Sequence, residues 1–111
     1  MRKVLVVDDD RATRKTLARF LASNCLVQTA SNGAEALDLF PGSECPFDVV
    51  VTDCDMPIIG GVELTAKLKE KFPGLWIVLM SGNPEPEQHK GDLFLGKPFN
   101  VEVLETLINR S

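Results

Sequence analysis

The sequence predicts an α/β fold built on one five-stranded parallel sheet, and three observations lead to that prediction. Short apolar runs alternate along the chain with segments whose apolar residues recur at helical spacing. The strand-like runs are apolar throughout, as is typical of parallel strands covered by helices on both faces. The chain has 111 residues, of which 44% are apolar, enough to bury a core without disulfides. We therefore expect a single doubly wound domain spanning residues 1–111.

Apolar runs locate the individual strands and helices. The predicted strands cover residues 3–7, 26–30, 47–52, 75–80 and 93–95. The predicted helices cover residues 11–22, 34–40 and 62–72, together with a last helix that begins after Asn100. Leu64, Leu68 and Phe72 illustrate the helical spacing, since they recur every fourth residue. Asn32 and Asn100 are suitable N-cap residues, because a side-chain oxygen there can accept from the first turn.

The connection between the fourth and fifth strands departs from this pattern. It spans residues 81–92, barely enough for a parallel crossover, and contains Pro84 and Pro86. Proline lacks a backbone donor and restricts the residue before it. We therefore expect a shortened or irregular fourth helix, and we expect His89 in this connection to be solvated.

Composition excludes several classes of function. The formal net charge is −4 and the sequence pI about 4.9, which disfavours direct binding of nucleic acid. No apolar run approaches the ~20 residues that span a bilayer, and the N-terminus lacks the features of a signal peptide. The chain has three cysteines, an odd count without CxxC spacing: Cys25, Cys45 and Cys54. These observations predict reduced thiols in a cytoplasmic protein without membrane insertion.

Polar side chains follow the predicted strands at the points where each strand ends. Residues 8–10 are three aspartates after the first strand, and Asp53 and Asp55 follow the third. Ser81 follows the fourth strand and Lys97 the fifth. Ligands of open parallel sheets bind beyond the carboxyl ends of the strands, so these side chains are the candidate site.

The chemistry of this set indicates magnesium and phosphoryl transfer. Two unit charges ~4 Å apart cost about 4 kcal/mol at an effective dielectric of ~20, so clustered carboxylates need a cation or a proton. Hard oxygen ligands suit Mg²⁺, which would neutralise Asp8 and Asp9. Asp53 would remain free to attack phosphorus and form an acyl phosphate. Lys97 and Ser81 would then hold the phosphoryl oxygens.

Four segments, residues 4–10, 49–57, 79–82 and 94–99, resemble those of response-regulator receiver domains of two-component signalling. The resemblance covers essentially the whole chain. It implies a flavodoxin-like (βα)₅ fold with strand order 2-1-3-4-5. It also implies that a histidine kinase or a histidine phosphotransfer domain supplies the phosphoryl group, that a downstream protein reads the result, and that the chain is not an enzyme.

The resemblance also implies roles for the acidic residues. Asp53 matches the phospho-acceptor. Asp8, Asp9 and Asp53 match the Mg²⁺ ligands, together with the main-chain carbonyl of Asp55. Asp55 and Asn83 occupy positions that modulate dephosphorylation, and we expect the charge of Asp55 to alter the lifetime of the phosphoryl group.

Further roles fall on the two last strands. Ser81 and Phe94 match the switch residues, Lys97 matches the site lysine, and its bond to Pro98 is expected to be cis. The family's fourth helix, fifth strand and fifth helix form the surface that switches. A weak homodimer through that surface stays open, as does the choice between a stand-alone receiver and a piece of a hybrid histidine kinase.

Three other functions stay open from the residues alone. Asp53 and Asp55 resemble the paired aspartates of haloacid-dehalogenase-like phosphatases, although here they follow the third strand. A flavin-binding module would need a loop able to cradle phosphate after the first strand, where three aspartates stand instead. A receiver-like module used for docking without phosphorylation is the third alternative.

Overall fold

The structure, a computed structural model that describes residues 1–110, contains one sheet of five parallel strands in the order β2-β1-β3-β4-β5. The strands are β1 (Arg2–Val7), β2 (Cys25–Ala30), β3 (Val49–Asp53), β4 (Trp76–Ser81) and β5 (Leu93–Gly96). The predicted fold class and strand order are confirmed. β3 begins two residues later than predicted and extends to Asp53, so that the candidate acceptor is part of the sheet.

Helices cover both faces of this sheet. They are α1 (Arg11–Leu21), α2 (Gly33–Asp38), α3 (Gly61–Lys71) and α4 (Val101–Arg110). Side chains of Asp10, Asn32 and Asn100 cap α1, α2 and α4 as acceptors, and for Asn32 and Asn100 this confirms the prediction. None of these helices in the described part of the chain is long and apolar enough to cross a membrane.

The core has two layers because successive residues of each strand point to opposite faces. On one face, Leu5, Val50 and Ile77 pack with Leu64 and Leu68 of α3. On the other face the strand residues Val4, Val6, Val49 and Val51 pack with residues of α1 and α4. All of these strand residues are fully buried, which explains why the strands are apolar throughout.

The connection from β4 to β5 contains no helix in the described residues. The predicted fourth helix, expected to be short or irregular, is thus replaced by bends and irregular backbone. Asp92 fixes its far end: the carboxylate accepts a 2.8 Å hydrogen bond from the Ile77 N–H and lies 2.7 Å from Lys69 Nζ. The last helix, α4, therefore corresponds to the fifth helix of the predicted (βα)₅ pattern. The predicted switching surface consists here of this connection, β5 and α4.

The expectation that His89 would be solvated is wrong. Its side chain is 10% exposed, and its Nε2 atom lies 2.7 Å from Glu85 Oε2. Its Nδ1 atom accepts the Gly91 N–H, and its ring packs 6.4 Å from the ring of Phe94. A polar loop sequence gave no sign of this packing, because it arises from the chain folding back over β5.

Candidate functional site

Three carboxylates meet at the carboxyl edge of the sheet because β1 and β3 are neighbours. Oxygen atoms of Asp8, Asp9 and Asp53 all lie within 4.8 Å of one another. Asp8 is fully buried, Asp53 is 6% exposed, and Asp9 is exposed. The structure thus brings together the three aspartates that the sequence predicted as a metal site.

Backbone and side-chain donors hold two of these residues in place. Asp8 Oδ1 accepts the Asp10 N–H at 2.9 Å, and the main-chain oxygen of Asp8 accepts from Arg14 Nη1 at 2.8 Å. Asp53 Oδ1 accepts the Asp55 N–H at 3.3 Å. The start of α3 lies against the main chain of Asp53, since a Cβ on Gly61 would approach the Asp53 carbonyl oxygen to 2.3 Å. Only glycine fits at this position.

Lys97 brings a cation to the same edge. Its Nζ atom lies 3.4 Å from Asp8 Oδ2 and 3.6 Å from Asp53 Oδ1. The Lys97–Pro98 bond is cis, as the resemblance implied. Burial lowers the pKa of Lys97, but the charges of Asp53 and Asp8 outweigh this and raise the pKa above its ordinary value. The ammonium is therefore held in its charged form between two carboxylates.

Burial dominates the electrostatics of Asp53. It raises the pKa of the carboxyl above its ordinary value, although Lys97 and the Asp55 N–H oppose the shift. The neighbouring thiol of Cys54 behaves similarly: burial and the charges of Asp55 and Asp53 raise its pKa to about 11. A thiolate is thus disfavoured beside Asp53, and the carboxylate is the stronger candidate nucleophile.

Ser81 is the last residue of β4, and its side chain hydrogen-bonds a residue that the sequence did not pair with it. Its hydroxyl donates to Asp55 Oδ2 at 2.6 Å and accepts the Asn83 N–H at 2.9 Å. Asn83 Nδ2 donates to the same Asp55 oxygen at 3.3 Å. The resemblance implied a main-chain carbonyl ligand and an effect of charge for Asp55, but not this side-chain contact with Ser81. The symmetric spacing, two residues after Asp53 and two after Ser81, was the available signal.

Phe94 lies apart from the carboxylates. It pairs with Leu79 in the register of β4 and β5, is half-buried, and packs against His89. Its contact with His89 places it beside the irregular connection.

The donor set suits a hard divalent cation. All three clustered side chains are carboxylates, one fully buried, and nitrogen or sulfur ligands are not part of the group in the described residues. Carboxylate oxygens that leave room for water are the ligands that Mg²⁺ prefers. The single positive charge of Lys97 does not balance the three carboxylates, so the cluster favours binding of a further cation.

Comparison with known proteins gives the family. The sequence pattern of the response regulator receiver domain matches residues 4–109. The chain is 38% identical over 109 residues to the response regulator MprA of Mycolicibacterium vanbaalenii, covering 92% of this chain and 46% of that protein. The chain thus spans less than half the length of this relative and of the other MprA regulators that it matches.

Solved structures agree with this result. The receiver domain of DrrB, activated with BeF₃, has a TM-score of 0.88 and 31% identity, covering 99% of this chain and 96% of that chain. The response regulator TrrA of Thermotoga maritima, in complex with Mg²⁺ and BeF, has a TM-score of 0.87 and 29% identity, covering 99% and 98%. The chain belongs to the response regulator receiver domain family, and its function is that of a receiver in two-component signalling.

Proposed function

We propose that the chain, taken as one domain over residues 1–111, accepts a phosphoryl group from a phosphohistidine onto Asp53. The observation that carries this proposal is the meeting of Asp8, Asp9 and Asp53 within 4.8 Å, with Lys97 Nζ 3.6 Å from Asp53. Three carboxylates and one ammonium at a single edge of the sheet support a site with one nucleophile, one cation and ligands for a divalent ion. We also propose that Asp8, Asp9 and Asp53, together with the main-chain carbonyl of Asp55, form a Mg²⁺ site.

In the proposed reaction, an Asp53 oxygen forms a bond to phosphorus while the bond from phosphorus to the histidine nitrogen breaks. The electron pair of that bond returns to the imidazole, and Asp53 becomes an acyl phosphate. Bound Mg²⁺ would neutralise charge on the carboxylates and on the phosphoryl oxygens. Lys97, already charged and held between Asp8 and Asp53, is placed to stabilise the same oxygens.

The partners proposed for the domain follow from this chemistry. A histidine kinase or a histidine phosphotransfer domain supplies the phosphoryl group, and a protein target reads the surface of the β4–β5 connection, β5 and α4. Ser81 and Phe94 would transmit the change, which adds about two negative charges at the sheet edge. Direct contact with nucleic acid is not part of the proposal, given the net charge of −4. The three free cysteines support a reducing, cytoplasmic location.

The test is labelling with acetyl phosphate and Mg²⁺, read by intact mass. We expect one added phosphoryl group on the wild-type chain and none on Asp53→Asn. Asp38→Asn, which removes a carboxylate from the end of α2, is the matched control and should label normally. Labelling of Asp53→Asn at the same stoichiometry would contradict the assignment of the acceptor.

Two further outcomes separate the proposal from other functions. A wild-type chain that never takes up phosphate, and does not bind beryllofluoride, would be a docking module. Sustained hydrolysis of a generic phosphomonoester would make the chain a phosphatase, since a receiver should take up one equivalent and should not turn over that substrate.

A further inference from the structure

The hydroxyl of Ser81 has a single proton, and the structure shows which group accepts a hydrogen bond from it. The Asn83 N–H donates to Ser81 Oγ at 2.9 Å, so this oxygen acts as an acceptor toward its own turn. The hydroxyl proton points to Asp55 Oδ2, only 2.6 Å away. Because one O–H donates one strong hydrogen bond, Ser81 cannot donate to a second anion while it donates to Asp55.

Asp55 is free to act as this acceptor. Its carboxylate is not among those that gather within 4.8 Å as the acidic cluster. Its main chain is fixed by the N–H bond to Asp53 Oδ1, and its Oδ2 atom also accepts Asn83 Nδ2 at 3.3 Å. Asp55 therefore lies beside Asp53 in sequence, but its side chain faces β4. A hydrogen bond from a hydroxyl to a carboxylate is stronger than one between neutral groups.

The main chain at Ser81 is held independently of this contact. Its carbonyl oxygen accepts the Lys97 N–H at 2.7 Å, and β4 pairs with β5 through Ser81 and Gly96. Rotation about the Ser81 side-chain bond can therefore change the partner of the hydroxyl without breaking this strand pairing, and it gives up the hydrogen bond from the Asn83 N–H as well.

We infer that Asp55 is a positioning residue that retains Ser81 in the unphosphorylated form, so that the switch requires Ser81 to exchange the Asp55 carboxylate for the phosphoryl group. This inference rests on the proposed function. Stabilising the Ser81–Asp55 pair favours the unphosphorylated state, and any ligand that needs the Ser81 hydroxyl must first break the pair. Asp55 thereby sets how readily the domain enters the phosphorylated conformation.

The test is a double-mutant cycle on beryllofluoride binding in the presence of Mg²⁺, measured by calorimetry. Wild type, Asp55→Ala, Ser81→Ala and the double variant form the cycle. We expect Asp55→Ala to bind about tenfold more tightly than wild type, a difference of about 1.4 kcal/mol. Removing the charge of Asp55 also lowers its repulsion of the ligand, but that effect does not depend on Ser81.

The cycle separates the two effects. In the Ser81→Ala background, Asp55→Ala should tighten binding by no more than about twofold, so most of the gain depends on the hydroxyl. In the Ser81→Thr background, which keeps the hydroxyl, Asp55→Ala should again tighten beryllofluoride binding about tenfold. If Asp55→Ala raised the affinity equally in the wild-type and Ser81→Ala backgrounds, Asp55 would act by charge alone and the inference would be overturned. An unchanged or lower affinity of Asp55→Ala would overturn it as well.

A second readout needs no ligand. The Asn83 amide donates to Ser81 Oγ, so its NMR resonance reports the position of the hydroxyl. In ligand-free Asp55→Ala this resonance should move toward its position in the beryllofluoride complex of wild type. An unmoved Asn83 resonance in the folded variant would overturn the inference. Failure of wild type to bind beryllofluoride at all would instead count against the proposed function.

Discussion

The carboxylate of Asp53 is buried at the end of β3, with two further carboxylates within 4.8 Å. We expect Asp53→Asn to raise the free energy of unfolding at neutral pH in metal-free buffer, by about 1 kcal/mol, as single stabilising substitutions commonly do. The reason is that the amide keeps the shape of the side chain and removes one charge from a repelling cluster. Chemical denaturation of both proteins measures the difference.

The pH dependence of this gain follows from the raised pKa of Asp53. A group whose pKa is higher in the folded state stabilises the fold below its unfolded pKa, and this contribution is lost as pH rises through the folded pKa. The gain from Asp53→Asn should therefore be present at neutral pH and should vanish below the ordinary value of 3.8. A gain that is constant across this range would contradict the electrostatic explanation.

Gly61 determines how closely α3 approaches the main chain of Asp53. A Cβ at this position would lie 2.3 Å from the Asp53 carbonyl oxygen and 2.9 Å from the Cα atom of Cys54. Both neighbours are backbone atoms, so Gly61→Ala must displace the end of β3. We expect a loss of about 1–3 kcal/mol in the free energy of unfolding, together with slower phosphorylation of Asp53.

Gly42→Ala is the matched control, since nothing lies within 4 Å of a Cβ at that position. Its stability should stay within about 0.5 kcal/mol of wild type. If Gly61→Ala proved equally neutral in denaturation and labelling, the close approach would have no bearing on the site.

At the scale of elements, the β4–β5 connection takes the place of a helix and depends on Asp92. The Asp92 carboxylate accepts from the Ile77 N–H and pairs with Lys69 of α3, and both side chains of the pair are mostly buried. Asp92→Ala leaves a strand donor without its partner. We expect a loss of about 1–3 kcal/mol, the cost of an unsatisfied buried donor.

Asp92→Asn offers the comparison that separates the two contacts. An amide oxygen can still accept from Ile77, while the ion pair with Lys69 is lost, so this variant should lose less stability than Asp92→Ala. Hydrogen exchange should show faster opening of the Ile77 amide in Asp92→Ala. Equal stability of wild type and both variants would mean that other contacts hold the connection.

At the scale of the whole molecule, the acidic cluster links stability to divalent cations. A ligand that binds only the folded state stabilises it by RT ln(1 + [L]/Kd), which is about 1.4 kcal/mol at ten times Kd. Mg²⁺ should therefore raise the Tm by several degrees. Asp9→Asn should abolish most of this shift with little effect on the core, because Asp9 is exposed.

NaCl at matched ionic strength is the control for this thermal measurement. Screening alone should relieve only part of the repulsion among carboxylates. A shift of equal size with NaCl, or an unchanged Mg²⁺ effect in Asp9→Asn, would count against a specific cation site.

Strand and helix identity, the strand order that the family resemblance implies, and the meeting of the three aspartates could all be predicted from the sequence. The physical reason is that parallel strands buried on both faces must be apolar throughout, and that they deliver whatever follows them to one edge. Val4–Val7 followed by aspartates, and Val49–Val51 followed by Asp53, already contain that information.

Tertiary structure alone decided the partners of Ser81, Asp55 and His89. These contacts join segments that are distant along the chain or that lie in a connection without periodicity, so neither spacing nor composition predicts them. A hydroxyl at a strand end can turn to several acceptors, and only the pairing of β3 with β4 brings Asp55, two residues after β3, next to Ser81. The side chain of His89 is largely covered for a similar reason, because the connection has no helix and folds back over Phe94.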